Sequence, residues 1–191
     1  MAESTLLLDV DEVLCLGQPE ACLELMQTFE RGETPCKHRL STLFSPVARN
    51  ALAVTHRRSG GVRYVISSSW REHFSRDQMA LILDGGGLQF VADNLHEGDA
   101  WRCLPKRVFR EREAEILHWL STHHHGEPFA VLDDRWSAGM LLFSHQNPDS
   151  RLFGRVVICT PGIGLTMDHV DVIVDALGRP DGGAGTALDT P

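Results

Sequence analysis

The feature that most constrains this chain is a series of short apolar runs, each breaking off into acidic or hydroxyl residues. The first, residues 5–10, carries Leu6, Leu7 and Leu8 straight into Asp9 and Asp11. The second, 62–66, leads into Ser67, Ser68 and Ser69, and the third, 129–132, into Asp133 and Asp134. Runs this short and apolar read as buried strands. A fourth, 156–159, reads the same way, and 88–91 reads as a weaker strand. Stretches with helical spacing lie between them. Residues 47–58 follow Pro46 and end at Gly60-Gly61; 77–83 stop at Gly85-Gly-Gly87; 110–120 carry apolar residues at 116, 117 and 120; 167–177 are capped by Thr166. Such alternation predicts an α/β domain with a mostly parallel central sheet and helices on both faces. In these sheets ligands bind at the carboxyl ends of the strands. Asp9/Asp11, Ser67/Ser68 and Asp133/Asp134 all stand at such ends, so one site is expected there.

Composition sets the outer bounds. The 191 residues suit one compact domain, expected over 1–178, with a Gly-, Pro- and Asp-rich tail at 179–191 expected to be unstructured. No internal repeat or heptad is present. The net charge of −8 argues against broad binding to nucleic acid, although one local basic pocket can still hold a single phosphate end. Five cysteines, at 15, 22, 36, 103 and 159, never fall in CxxC spacing, so reduced thiols are the simpler expectation than zinc or disulfides. No apolar run approaches the roughly 20 residues that span a bilayer. The start, Met1-Ala-Glu-Ser-Thr, carries no basic residue, unlike a secretory signal, and a cytoplasmic protein is expected.

A carboxylate directly after three leucines is costly unless a metal or hydrogen-bond donors stabilise it. Four acidic side chains at one sheet edge, Asp9, Asp11, Asp133 and Asp134, would repel one another without a cation. All-oxygen ligation suits Mg²⁺, which keeps several waters and shares substrate phosphate oxygens. Arg112 belongs with them by geometry. A helix that precedes a parallel strand runs antiparallel to it, so its first turn lies at the carboxyl edge. Arg112 stands one turn before Ile116 and two before Trp119, on the face toward the sheet. Lys106 is the competing cation.

These residues in this order resemble the haloacid dehalogenase (HAD) superfamily: Asp9-Val-Asp11-Glu-Val-Leu14, a Ser after the second strand, a basic residue opening a helix, and an Asp-Asp pair after the next strand. Val65-Ile-Ser-Ser-Ser-Trp-Arg71, Arg112-Glu-Ala-Glu-Ile-Leu-His-Trp-Leu120, Leu132-Asp-Asp134 and Gly164-Leu-Thr166 look more narrowly like the HAD domains of Swiss army knife RNA-repair proteins. The resemblance spans about residues 5–177 and implies a three-layer Rossmann-like HAD fold. Glu12 departs from it, since the family usually has Gly there.

The resemblance also implies roles. Asp9 would attack phosphorus to form an aspartyl-phosphate, while Asp11 would protonate the leaving oxygen and then activate water. Mg²⁺ would be held by Asp9, the backbone carbonyl of Asp11, and Asp133 or Asp134. Ser67, or Ser68 if the strand ends one residue later, would hydrogen-bond a phosphoryl oxygen. By the helix geometry above, Arg112 or the competing Lys106 would stabilise its charge; apart from the resemblance, Arg71 and Arg135 could help hold substrate phosphate or equally make surface ion pairs. The implied activity is that of a Mg²⁺-dependent phosphatase. A HAD-fold binding or regulatory module without turnover, and phosphotransfer to an acceptor other than water, are the alternatives.

Other features weigh less. His123-His-His125 reads as a solvated turn rather than a metal site. Trp70 and Trp136 suit either the core or a ring-binding surface. No GxxxxGK[ST] loop is present, against an ATP-dependent kinase. Residues 16–45 allow at most a small lid, and 94–108 a shorter one. An open site is therefore expected, able to admit nucleic-acid ends or phosphoproteins; a sealed pocket would favour a small molecule. Oligomeric state is left open.

Overall fold

The computed structural model describes residues 4–104 and 111–180. Its chain order is β1 (Ser4–Leu8), α1 (Ala21–Glu30), α2 (Lys37–Ser41), α3 (Pro46–Arg58), β2 (Val62–Ile66), α4 (Arg76–Gly85), α5 (Gln89–Ala92), α6 (Arg112–His123), β3 (Phe129–Asp134), α7 (Leu141–Gln146), β4 (Val156–Cys159) and α8 (Val170–Gly178). The four strands are all parallel, in the order β2-β1-β3-β4. Leu8 is level with Ile66 on one side and Leu132 on the other, so Asp9, Ser67 and Asp133 leave the sheet at one edge.

Strand alternation divides the interior into two cores. Leu6, Leu8, Tyr64, Ile66, Ala130 and Leu132 point to one face, where they pack with Leu52 of α3, Ile82 of α4 and Ile173 of α8. Leu7, Val65, Phe129 and Val131 point to the other, against Ile116 and Trp119 of α6 and Leu141 of α7. Both faces are covered, which is why the strands are largely apolar, Ser4, Thr5, Arg63 and the closing Asp133-Asp134 aside, rather than alternating with polar residues. The result is the three-layer α/β architecture expected.

The helices start where their capping chemistry allows. Ser45 accepts from the Ala48 N–H and Pro46 opens α3. Ser75 and Gln78 form a reciprocal capping box on α4. Thr166 caps a single 3₁₀ turn, Met167–His169, before α8 proper begins.

One expected strand takes another form. Residues 88–91 are not a strand: Leu88 precedes the one-turn helix α5, and Leu88, Val91 and Leu95 are buried at three- and four-residue spacing. The pairing expected there falls further on. Tyr64 N–H donates to the Asn94 carbonyl at 2.8 Å, and His96 and Cys103 N–H donate to Tyr64 and Ile66 at 3.0 and 3.1 Å. Residues 94–103 thus cover the outer edge of β2 without forming a strand. Helix α6 begins at Arg112; Arg110 and Lys106 lie outside the described residues, as does 181–191. Among the described residues no helix is long and apolar enough to cross a membrane.

Candidate active site

Asp9 continues β1 past its last paired residue, its N–H donating to the Leu132 carbonyl at 2.9 Å, and it is only 2% exposed. Asp133 and Asp134 close β3 beside it. Asp9, Asp133 and Asp134 each offer a carboxylate oxygen, and these lie within 4.8 Å of one another. Arg112, the first residue of α6, reaches between them: its guanidinium stands 3.6 Å from Asp9 and 3.4 Å from Asp133. At those distances it screens charge without making good hydrogen bonds. Arg112 Nε and Nη1, Asp133 Oδ2 and the Ser67 hydroxyl are buried with no hydrogen-bond partner among the described residues. Buried polar atoms are ordinarily satisfied. Orphaned donors, an orphaned carboxylate oxygen and an orphaned hydroxyl at one sheet edge are what a site awaiting an oxyanion and a cation presents.

The electrostatics agree. Burial pushes the Asp9 carboxyl well above the usual range, and the neighbouring Asp133 adds to it, against the opposing pull of Arg112. Asp133 is raised by burial too. Burial alone would lower Arg112, yet Asp9, Asp133 and Glu115 around it raise it on balance. Asp9 and Asp133, which resist ionising together, and Asp134 beside them offer only hard oxygen donors, a set that fits Mg²⁺.

Asp11 stands apart from that cluster. Its carboxylate accepts from the Trp70 indole N–H at 2.9 and 3.0 Å to its two oxygens, and burial raises its pKa while that bond lowers it. Trp70 is fully buried against Phe74, so its bulk belongs to the core and its N–H to the site. Glu12, where the resemblance calls for Gly, adopts the positive φ of 54° that a Gly would favour. Its carboxylate accepts from the N–H of Gly17 at 3.0 Å and of Gly162 at 2.5 Å, tying the turn after Asp11 to the loop after β4.

Ser68 accepts only a long 3.5 Å contact from the Trp70 N–H. Arg71, considered above for substrate or a surface pair, is instead buried and engaged within the protein. It is 1% exposed, pairs with Glu115 at 2.7 Å, and donates to the carbonyls of Ser67 and Ser68 at 2.5 Å and of Cys103 and Leu104 at 3.0 Å. Glu115 in turn lies 3.9 Å from Arg112. A buried relay therefore links the serine turn to the Arg112 guanidinium. Glu115 was discernible in the sequence only as an acidic residue on the helix face shared by Arg112, Ile116 and Trp119. Ser137, whose hydroxyl bridges Asp133 and Asp134, carried no such signal. Arg135 is exposed, and the His123–His125 turn contributes to no metal-type cluster among the described residues.

A cleft of about 580 Å³ opens beside Asp11, walled by α1 and by Trp136. The segment expected to be a small lid thus forms one side of the approach to the site.

A parallel sheet between two helical layers, with a buried carboxylate cluster at its carboxyl edge, agrees with a HAD-type α/β protein. The family model for the HAD domain in Swiss Army Knife RNA repair proteins matches residues 5–170, and the chain belongs to that family. No curated protein and no solved structure matches the chain. The family points to HAD-type phosphohydrolase chemistry, which typically uses Mg²⁺.

Proposed function

We propose that the chain is a Mg²⁺-dependent phosphomonoester hydrolase that works through a phosphorylated Asp9. The observation that carries this reading is the meeting of Asp9, Asp133, Asp134, Arg112 and the partnerless Ser67 hydroxyl at one edge. A carboxylate oxygen of Asp9 would attack phosphorus and the bond to the leaving oxygen would break, with Asp11 giving that oxygen its proton. Burial, by raising Asp11, suits it to carry that proton. Water would then attack the phosphorus, Asp11 taking its proton back, the Asp9–phosphorus bond would break, and phosphate would leave. Ser67 and Arg112 would hold the phosphoryl oxygens through both steps. Asp9, Asp133 or Asp134, and the Asp11 carbonyl would hold the metal, which when bound offsets the repulsion between carboxylate and phosphoryl charge. The family's association with RNA repair adds terminal phosphates of nucleic acid to the candidate substrates.

The test is phosphate release from a panel of monoesters with and without Mg²⁺, comparing wild type with Asp9→Asn. Wild type alone should turn over, and only with metal. Equal, negligible release by both proteins across the panel would contradict the reading.

A further inference from the structure

We propose that the cleft beside Asp11 is a leaving-group subsite for a neutral, ring-bearing group of about nucleoside size. This rests on the phosphatase reading, because it takes Asp11 as the group that protonates the leaving oxygen. Of the residues given a role in the reaction, Asp11 is the one that lines the cleft, so a group esterified to the oxygen it protonates has this cleft beside it. Its volume of about 580 Å³ lies in the range that holds small ligands rather than chains.

The walls select for apolar surface. Cys22, Leu23 and Met26 come from one side of α1, and Cys15 from the turn before it. The thiols of Cys15 and Cys22, pushed up to about 12 chiefly by burial, stay protonated and add no charge. Trp136 completes the rim and is 77% exposed, so its indole face is open to whatever enters the cleft. A thioether and an indole both pack favourably on an aromatic ring.

The same walls disfavour a strand of nucleic acid. Asp11 and Glu12 put two carboxylates on the cleft, and Glu12 is held there by the N–H groups of Gly17 and Gly162. Among the described lining residues there is no Lys or Arg, and His73 is the one basic side chain set against the two carboxylates. A leaving group with further phosphates would set them against these carboxylates, where strand-binding grooves supply cations. One ring with one ester oxygen meets no such repulsion.

The experiment compares three esters with the Mg²⁺-supplemented full chain: 2-naphthyl phosphate, glycerol 3-phosphate and a 5′-phosphorylated decanucleotide. The naphthyl ester should have the highest kcat/KM. Trp136→Ala and Leu23→Asp, both changes at exposed positions, should each lower the ratio of naphthyl to glycerol ester kcat/KM about ten-fold. A ratio unmoved by both variants, or the decanucleotide as best substrate, overturns the proposal. Calorimetric titration with the non-hydrolysable naphthylmethylphosphonate separates the subsite from the chemistry. Binding by wild type that both variants weaken supports the subsite even where no ester is turned over, a result that would count against the phosphatase reading alone. Absence of binding by wild type overturns the subsite.

Discussion

Trp70 shows how much one side chain can carry at this site. Its ring fills the core while its N–H holds the Asp11 carboxylate. That bond favours the charged form of Asp11, so removing it lets the pKa rise further. Trp70→Phe keeps most of the bulk and should move the Asp11-dependent limb of the pH–rate profile to higher pH; a limb that stays or falls would contradict the assignment. Glu115 is the second such residue. Truncating it leaves Arg71 buried beside Arg112 with its main counter-charge gone. Glu115→Ala should cost about 3–5 kcal/mol in urea denaturation, the usual cost of breaking a buried pair from one side. Glu115→Gln, which keeps the shape, should fold better than Ala yet lower kcat more than it raises KM, through a less firmly held Arg112.

At the scale of elements, the loop after β4 is strapped onto the turn after β1. Leu165 N–H donates to the Val13 carbonyl at 3.0 Å, and Gly164 sits there with φ of 70°. A Cβ at Gly164 would fall 2.7 Å from the Val13 carbonyl oxygen and 2.6 Å from a Leu16 methyl. Gly164→Ala should therefore destabilise by about 1–3 kcal/mol in the same assay, from left-handed strain plus the clash; a change near zero would mean that the strap readily gives way. The elements most easily read in sequence were those whose spacing admits one periodicity. Residues 62–66 and 156–159 form strands with the expected limits, while 88–91 fits either period in so short a run and became a helix under packing from Leu95. Helix α7 is six residues long and was not anticipated, having no cap or periodic face of useful length.

At the scale of the molecule, the sheet's polarity brought Asp9, Ser67, Arg112, Asp133 and Asp134 to one edge, and that much could be read from the strand ends and from the direction of the helix that precedes a parallel strand. The Asp11–Trp70 bond and the Arg71–Glu115 relay depend on side-chain directions across elements distant in sequence, which no local pattern encodes. Bringing the carboxylates together has a cost. Asp9 and Asp133 have folded-state pKa values raised above those of the unfolded chain, so their contribution is most favourable below about pH 4 and is lost as pH rises through the raised values. The metal-free protein at pH 7 should therefore be stabilised by Asp133→Asn, seen as a higher Tm. Saturating Mg²⁺ should raise the wild-type Tm by about 5 °C or more, and Asp133→Asn should blunt that shift. A Tm indifferent to Mg²⁺ would contradict the metal site. The central claim, that phosphate passes through Asp9, is tested most directly by borohydride trapping during turnover with Mg²⁺ and substrate. Reduction of an aspartyl-phosphate leaves homoserine, and tandem mass spectrometry should find it at residue 9; homoserine at another aspartate, or none while phosphate is being released, would contradict the account.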